Sequence, residues 1–249
     1  MLTSRPDNGV WGSIPRPSAQ HGSMVKRTIM PRFERGVPGS NPGRAILRKM
    51  RKTAYREIRA DFDRSMIVVY QAYNGAIADA ALEAQKFVSP FSVNRMTWIK
   101  PSFLWLMERS GWGTKSNQER TLAVRITRAG WDCALGLGTL TAFDPAVHAS
   151  IETWRTQFAS SAVHIQWDPE RSLQGGKLDY RSIQVGLSRA VIERFVSEWT
   201  VGIMDLSPLV AKLRQLRKEG KHAAAKKLLP SERLYPANAA WAAKLGIEL

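Results

Sequence analysis

Residues 96–112 contain side chains that could bind a phosphorylated ligand. Lys100 and Ser102 lie where a predicted strand passes into a predicted helix. Amide groups at the start of a helix and a nearby cation both attract a phosphate. Three tryptophans recur in this segment at intervals of seven residues, namely Trp98, Trp105 and Trp112. Core packing is the alternative explanation for such an aromatic series, so the segment predicts either a nucleotide site or part of the core.

Further side chains extend this candidate site. Tyr70 and Tyr73 lie at the end of a predicted strand, where they could stack on a base or another flat ring. Gln184 lies within a later apolar strand, and a buried amide there needs a hydrogen-bond partner, either inside the sheet or on a ligand. The ligand-binding candidates are Tyr70, Tyr73, Trp98, Lys100, Ser102 and Arg109, and Gln184 is either an internal sheet amide or a further ligand contact.

Residues 207–229 are strongly basic, with Glu219 as their one acidic residue. The bases are Lys212, Arg214, Arg217, Lys218, Lys221, Lys226 and Lys227. They form either a solvated helix face or a surface that binds a polyanion. The whole chain has a formal net charge of +16, and residues 50–249 keep 28 bases against 19 acids. This balance favours nucleic acid or a phosphate-rich nucleotide as the partner.

Histidine and cysteine are too scattered to predict a metal site. The four histidines form no helical pair, and Cys133 is the one cysteine of the chain. This usage predicts no zinc site and fits a reducing cytoplasm. Asp168 and Arg171 could form a structural ion pair or serve a site. No apolar run approaches the roughly 18–20 residues of a membrane span, so no membrane partner is expected.

Residues 1–49 differ from the rest of the chain, because prolines alternate there with glycine, serine and arginine and no periodicity appears. We expect a disordered or non-native extension. The string Gly39-Ser40-Asn41-Pro42 is what the codons GGT TCG AAT CCN encode, and this matches the T-arm consensus of tRNA genes. We therefore hypothesise that the native product begins at Met50. An ordinary disordered arm is the alternative.

Residues 50–249 are predicted to form a single α+β domain. Strands are predicted at residues 66–70, 95–99, 120–126, 163–167, 180–187 and 201–206. Helices are predicted at residues 51–63, 75–86, 101–111, 128–137, 151–158 and 188–199, and from Ser207 onward. Residues 168–179 are predicted to form an exposed loop. Because strands and helices interleave without a strict alternation, we expect a mixed central sheet with flanking helices.

The chain resembles domain-of-unknown-function family 4291 over about residues 53–235. The resemblance is carried by five strings. They are Tyr55-Arg56-Glu57-Ile58-Arg59, Val69-Tyr70-Gln71-Ala72-Tyr73, Met96-Thr97-Trp98-Ile99-Lys100-Pro101-Ser102-Phe103, Ile165-Gln166-Trp167-Asp168-Pro169-Glu170-Arg171 and Arg181-Ser182-Ile183-Gln184. Membership would fix the extent of the domain without assigning an activity.

The order of elements is more distantly similar to the ADP-ribosyltransferase group, whose NAD pocket lies between split central strands. That resemblance implies NAD as the cofactor and Gln184 as the candidate for the last catalytic position, although neither a His–Tyr–Glu set nor a Glu-x-Glu pair can be placed. One predicted function is therefore an NAD-dependent transferase that acts on nucleic acid or protein. The other is a non-catalytic RNA- or DNA-binding module, which would show a continuous basic face and no pocket.

Overall fold

The structure is a computed structural model that describes residues 53–247. The expectations for residues 1–49 and for a start at Met50 lie outside these residues. The strands are β1 (Arg59–Ala60), β2 (Met66–Tyr73), β3 (Thr97–Ile99), β4 (Arg120–Thr127), β5 (Gly138–Leu140), β6 (Val163–Arg171), β7 (Lys177–Leu187), β8 (Thr200–Asp205) and β9 (Arg233–Leu234). The helices are α1 (Gly75–Ala84), α2 (Phe103–Ser110), α3 (Arg128–Leu137), α4 (Ile151–Ser160), α5 (Ile192–Arg194), α6 (Ser207–Lys218), α7 (His222–Leu228) and α8 (Ala239–Ala242).

Two larger sheets organise these elements, and the predicted α+β class is confirmed. One sheet has the antiparallel order β2-β4-β8, and the other has the order β3-β7-β6-β5. Strands β5 and β6 are parallel, whereas β6 and β7 form an antiparallel hairpin. The short strands β1 and β9 pair with each other. Within residues 53–247, no helix has both the length and the apolar composition that a membrane crossing requires.

The two larger sheets meet at a single bridge between Tyr70 and Lys100, where the Tyr70 amide donates to the Lys100 carbonyl at 2.6 Å. Beyond this bridge the side chain of Gln71 replaces backbone pairing. Its Nε2 donates to Thr97 Oγ1 at 2.8 Å and to the Trp98 carbonyl at 3.3 Å. The bridge therefore sets β2 beside β3 and leaves space between the strand ends.

Helix α2, which follows this bridge, begins and ends at residues whose chemistry favours those positions. The Ser102 hydroxyl accepts a hydrogen bond from the Trp105 amide, as an N-cap serine does. Gly111 ends the helix at φ +59°, a conformation that glycine adopts without steric cost. The helix packs through Phe103 and Met107 onto a cluster that also contains Tyr70. Lys100 is therefore fixed between a sheet and a packed helix.

Two sequence predictions are wrong for reasons of long-range pairing. Residues 53–63 form no helix, because β1 pairs with β9 and buries Ile58 and Ala60, which outweighs helix propensities of a few tenths of a kcal/mol per residue. Residues 168–179 are not a loop, since β6 and β7 extend into a hairpin whose turn is residues 172–176. Pro169, which suggested the loop, lies beside a bulge in β6, where a missing N–H is tolerated.

Other boundaries also differ from the sequence predictions. The basic carboxy-terminal segment forms two helices, because Gly220 breaks it at φ +69°. The helix predicted at residues 188–199 is shorter: α5 starts at Ile192 and continues into a π-helical turn at Phe195–Trp199. Strands β5 and β9 have no counterpart in the sequence prediction. Each is only two or three residues long, too short for a pattern to show.

Candidate functional site

A cleft of about 940 Å³ opens where β2 and β3 separate. Helix α2 and the β6–β7 hairpin form its other walls, and residues 90–96 and 117–118 contribute from the connecting segments. Five of the residues predicted from sequence line it: Tyr73, Trp98, Lys100, Arg109 and Gln184. The sequence thus indicated one site from segments that are far apart along the chain.

The floor of the cleft consists of two glutamines held by one carboxylate. Gln184 Nε2 donates to Asp168 Oδ2 at 2.7 Å, and Gln166 Nε2 donates to Asp168 Oδ1 at 2.9 Å. An ionised carboxylate only accepts, so both amino groups must face Asp168. Neither amide oxygen forms a hydrogen bond with any residue from 53 to 247. The floor therefore offers two oriented carbonyl acceptors to a ligand.

These three floor residues share one face of the sheet because β6 and β7 are paired in register. Gln166 lies opposite Gln184, and Asp168 lies opposite Ser182, two residues further along each strand. Side chains two residues apart in a strand point to the same face. Ile165 and Val185, which adjoin Gln166 and Gln184 along the two strands, belong to the core on the other face. The alternation of polar and apolar residues is thus the local cause of the floor.

Three cationic side chains line the cleft: Arg95, Lys100 and Arg109. Lys100 is 7% exposed, and its ammonium lies 5.1 Å from the centre of the Trp105 ring. Burial, reinforced by the charge of Arg109 and opposed by that of Asp168, lowers the pKa of Lys100 to about 8. Within residues 53–247 its ammonium forms no hydrogen bond or ion pair. A buried cation without a protein anion favours an anionic ligand.

Aromatic and amide side chains complete the walls. Trp98, Trp105 and Phe91 line the cleft together with Tyr73, whose ring contacts Phe87 and Phe91 edge to face. The Tyr73 hydroxyl accepts a hydrogen bond from Gln71 Nε2 at 2.8 Å, and burial raises the pKa of this phenol well above its usual range. Tyr73 is therefore held as a neutral side chain with a fixed hydroxyl.

The start of α2 is occupied by the chain's own oxygens, contrary to the expectation of a phosphate there. The Phe103 amide donates to Glu232 Oε1 at 2.7 Å, and the Ser102 hydroxyl donates to Glu170 Oε1 at 2.9 Å. Burial raises the pKa of Glu232 to about 8 and also raises the pKa of Glu170. Ser102 is 1% exposed and does not line the cleft. A phosphate would meet two carboxyl groups at this position.

Tyr70 also lies outside the cleft. It is 1% exposed, and its ring packs edge to face against Phe103 with the ring centres 5.5 Å apart. A ligand ring has no access to it, whereas Tyr73, three residues further along the chain, is within reach. Strand β2 places Tyr70 in the core, so it is the tertiary packing that decides which of the two tyrosines faces the cleft.

Several cleft residues were not among the sequence candidates, above all Asp168, Gln166, Gln71 and Arg95. The sequence predicts that Asp168 either pairs with Arg171 or serves a site, and in the structure Arg171 instead pairs with Glu108 at 3.3 Å. The signal that could have found Gln166 and Asp168 is the polar alternation of β6. That signal was hidden because Pro169 suggested that the strand ended at Trp167.

The basic residues predicted to bind nucleic acid lie on α6 and on the segment that follows it. Lys212, Lys218 and Lys221 are exposed, and Lys221 pairs with Glu219 at 2.8 Å. Arg214 and Arg217 are half-buried beside Trp112. Burial lowers the pKa of Arg217, an effect that the charge of Glu108 opposes. The basic residues are thus of two kinds, exposed lysines and half-buried arginines that contact Trp112.

The part of the chain that the structure describes contains no group of three or more histidine, cysteine, aspartate or glutamate side chains that could hold a metal ion.

The comparisons with known proteins give one match. The model of the family described as Domain of unknown function (DUF4291) matches residues 57–235. No curated protein and no solved structure matches the chain. Since this match covers well over half of its length and begins and ends close to the limits expected from the sequence, the chain belongs to the DUF4291 family.

Proposed function

We propose that the cleft binds NAD and that the chain is a transferase similar to the ADP-ribosyltransferases. The proposal rests on one observation: the same cleft contains a buried cationic side chain and a set of oriented hydrogen-bond acceptors. Lys100, buried and without a hydrogen bond or ion pair to any residue from 53 to 247, lies in the same cleft as Asp168, which orients the amide oxygens of Gln166 and Gln184. The cationic side would bind phosphates and the acceptor side would bind hydroxyl or amino groups.

The phosphate end of the ligand is assigned to Lys100, Arg109 and Arg95. Arg109 and Arg95 are exposed, so they can move to meet a pyrophosphate, whereas Lys100 is already fixed beneath it. Binding would also remove the unfavourable proximity of Lys100 and Arg109 by placing negative charge between them. These three cations take the role that the sequence predicted for the amides at the start of α2, because those amides already donate to Glu232 and Ser102.

The ribose and nicotinamide end is assigned to the floor. When bound, NAD supplies a ribose–nicotinamide bond whose cleavage places positive charge on the ribose carbon. Gln184 and Gln166 would accept hydrogen bonds from ribose hydroxyls through their free amide oxygens, and Asp168 would keep those oxygens pointing at the ligand. Fixed negative dipoles and a carboxylate stabilise a developing positive charge without reorganisation. Gln184 therefore acts by orientation and electrostatics, with no general base required.

The place of the cleft also supports the similarity to ADP-ribosyltransferases. In that group the NAD pocket lies between split central strands, and here the cleft opens where β2 and β3 part after the Tyr70–Lys100 bridge. The alternative, a non-catalytic nucleic-acid-binding module, gains support from the basic helices α6 and α7. That alternative predicts no deep pocket, so the cleft favours the enzyme.

Calorimetric titration with NAD, ADP-ribose and ATP, together with chromatographic measurement of released nicotinamide, tests the proposal. Lys100→Met should weaken NAD binding by about 10- to 100-fold, the effect of losing one charged hydrogen bond to phosphate. Gln184→Ala should leave the Kd within about threefold and lower kcat by at least about tenfold. Lys86→Met, which removes an exposed lysine beyond α1, is the matched control and should change neither.

Two results would contradict the proposal. One is a wild-type chain that binds none of the three nucleotides. The other is a Gln184→Ala variant that releases nicotinamide at the wild-type rate, since the floor would then have no part in the reaction. Circular dichroism spectra of each variant show whether a lost signal comes from unfolding.

A further inference from the structure

A second pocket of about 480 Å³ lies on the other side of the segment that follows α2. Trp112, Arg214, Arg217, Lys218 and His222 line it, and the NAD site proposed above uses none of them. The pocket brings together the end of α2, the turn of the β6–β7 hairpin and the junction of α6 with α7. It therefore needs a separate explanation.

Two arginines in this pocket are held in place by one tryptophan. Arg214 donates to the Trp112 carbonyl at 2.9 Å, and the guanidinium of Arg217 lies 4.0 Å from the centre of the Trp112 ring. Trp112 is itself fixed, because its amide donates to the Met107 carbonyl at 2.7 Å and it is 7% exposed. Within residues 53–247 no carboxylate lies within ion-pair distance of either arginine. Their remaining N–H groups are preorganised donors.

We propose that this pocket binds a backbone phosphate of a nucleic-acid strand. Preorganised guanidinium groups without a carboxylate partner match the paired oxygens of a phosphate. Lys218, which lines the same pocket, adds a cation that is free to follow the strand. These contacts would position the strand without reading its sequence.

The surroundings of the pocket favour a strand over a small phosphate ion. Four more exposed lysines lie on α6, on α7 and between the two helices, namely Lys212, Lys221, Lys226 and Lys227. Glu219, the one acid of residues 207–229, is already held by Lys221 and Gln215. A single phosphate cannot reach a cationic surface of this extent, whereas successive phosphates of a strand can.

The position of the pocket also suggests what the strand does. The segment after α2 contributes Thr114 to this pocket and Asn117 to the cleft, so the two sites share one short segment of the chain. A strand held here would have its neighbouring nucleotides close to the cleft. We assign the strand as the acceptor of the transfer, and this assignment rests on the proposed NAD-dependent function. A nucleophilic atom of the strand would form the new bond to the ribose carbon as the bond from that carbon to nicotinamide breaks. Nicotinamide would leave as the neutral base with the bonding electron pair, and the proton of the acceptor atom would pass to water.

The test measures the affinity of the full chain for a fluorescein-labelled single-stranded oligouridylate by anisotropy, without NAD, over a range of salt concentrations. The double variant Arg214→Gln/Arg217→Gln should bind more weakly, and the slope of log K against log salt should shrink by about 1.4, corresponding to two phosphate contacts on a single strand. The control Arg155→Gln/Arg189→Gln removes the same charge from exposed positions on other elements and should keep the wild-type slope.

A second variant guards against loss of folding, because both arginines contact Trp112. Lys218 is exposed and forms no hydrogen bond or ion pair with residues 53–247, so Lys218→Glu should fold normally. It should weaken binding by about tenfold at low salt. Equal effects of the arginine double variant and its control, or no effect of Lys218→Glu, would overturn the pocket as a strand site.

Two further outcomes separate the possible ligands and the two proposals. Inorganic phosphate is added at a concentration equal to that of the strand's phosphates. If it displaced the strand, the pocket would be a site for a small anion, and the proposal of a strand site would be wrong. Wild-type chain that releases nicotinamide from NAD but does not bind the strand overturns this inference alone. Wild-type chain that binds the strand but not NAD overturns the proposed function and, with it, the acceptor role.

Discussion

Replacing Lys100 with methionine should make the protein more stable while weakening its ligand binding. Lowering the Lys100 pKa from 10.5 to about 8 corresponds to a cost of about 3 kcal/mol for keeping the ammonium charged in the fold, at about 1.4 kcal/mol per tenfold change in proton affinity. Methionine keeps the length of the side chain and removes this cost. It also loses the contact with Trp105, worth about 0.5–1 kcal/mol. The free energy of unfolding at neutral pH should therefore rise by about 2 kcal/mol.

The difference between the two proteins should depend on pH with a defined sign. Below about pH 8 Lys100 is protonated in both the folded and the unfolded chain, so the wild type bears the full cost. Between about pH 8 and pH 10.5 the unfolded chain binds a proton that the folded chain lacks, and the stability of the wild type rises with pH. Above pH 10.5 the lysine is neutral in both states and the advantage of the variant disappears.

Urea unfolding followed by circular dichroism, at neutral pH and near pH 10, measures this difference. Lys86→Met removes an exposed lysine and should change the free energy of unfolding by less than about 0.5 kcal/mol at either pH. A Lys100→Met variant that is less stable than the wild type at neutral pH would falsify the reasoning, because it would make Lys100 a stabilising structural contact. A stability difference that does not change with pH would refute it equally.

Further predictions concern the floor and the packing of α3. Asp168→Asn should slow nicotinamide release by about tenfold with little change in NAD affinity. The substitution removes the charged acceptor that orients a glutamine amide such as that of Gln184. An unchanged rate would argue against this orienting role. Gly130→Ala should lower the free energy of unfolding by about 1–3 kcal/mol, since its Cβ would lie 2.3 Å from Trp199 Cγ. Gly136→Ala, in the same helix with no atom within 4 Å of the added Cβ, should raise it by up to about 1 kcal/mol, and thermal melts that show equal effects would contradict both predictions.

Local signals in the sequence predicted several of the helix starts and strands. Asn74 begins α1 by accepting from the Ile77 amide, and Thr127 and Ser150 begin α3 and α4 in the same way. Such hydrogen bonds join residues three apart in the chain, so they form whenever the segment becomes helical. The apolar, β-branched composition of β2 and β4 likewise predicted strands, although β2 is longer than expected. These features depend on neighbours in sequence and could be read directly.

The contents of the cleft depended on distant partners. Glu170, which is 68 residues away, accepts a hydrogen bond from the Ser102 hydroxyl, and Glu232, which is 129 residues away, accepts one from the Phe103 amide. No periodicity within a segment carries information about such a partner. The sequence therefore predicted the strand-to-helix junction at Lys100, but not that the hydroxyl and the amide beside it are bound by two distant carboxyl groups.

By itself the sequence determined the α+β class, the starts of α1, α3 and α4, the basic character and the family. The tertiary structure alone decided that Tyr73 rather than Tyr70 faces the cleft, that Asp168 orients two glutamines, and that the Lys100 ammonium lies buried without an ion-pair partner among residues 53–247. The physical reason is that propensities and caps act over one helical turn, whereas burial and charge pairing depend on which segments pack together. At this site the residues that pack together come from β2, β3, α2 and the β6–β7 hairpin, and only the fold brings them into contact.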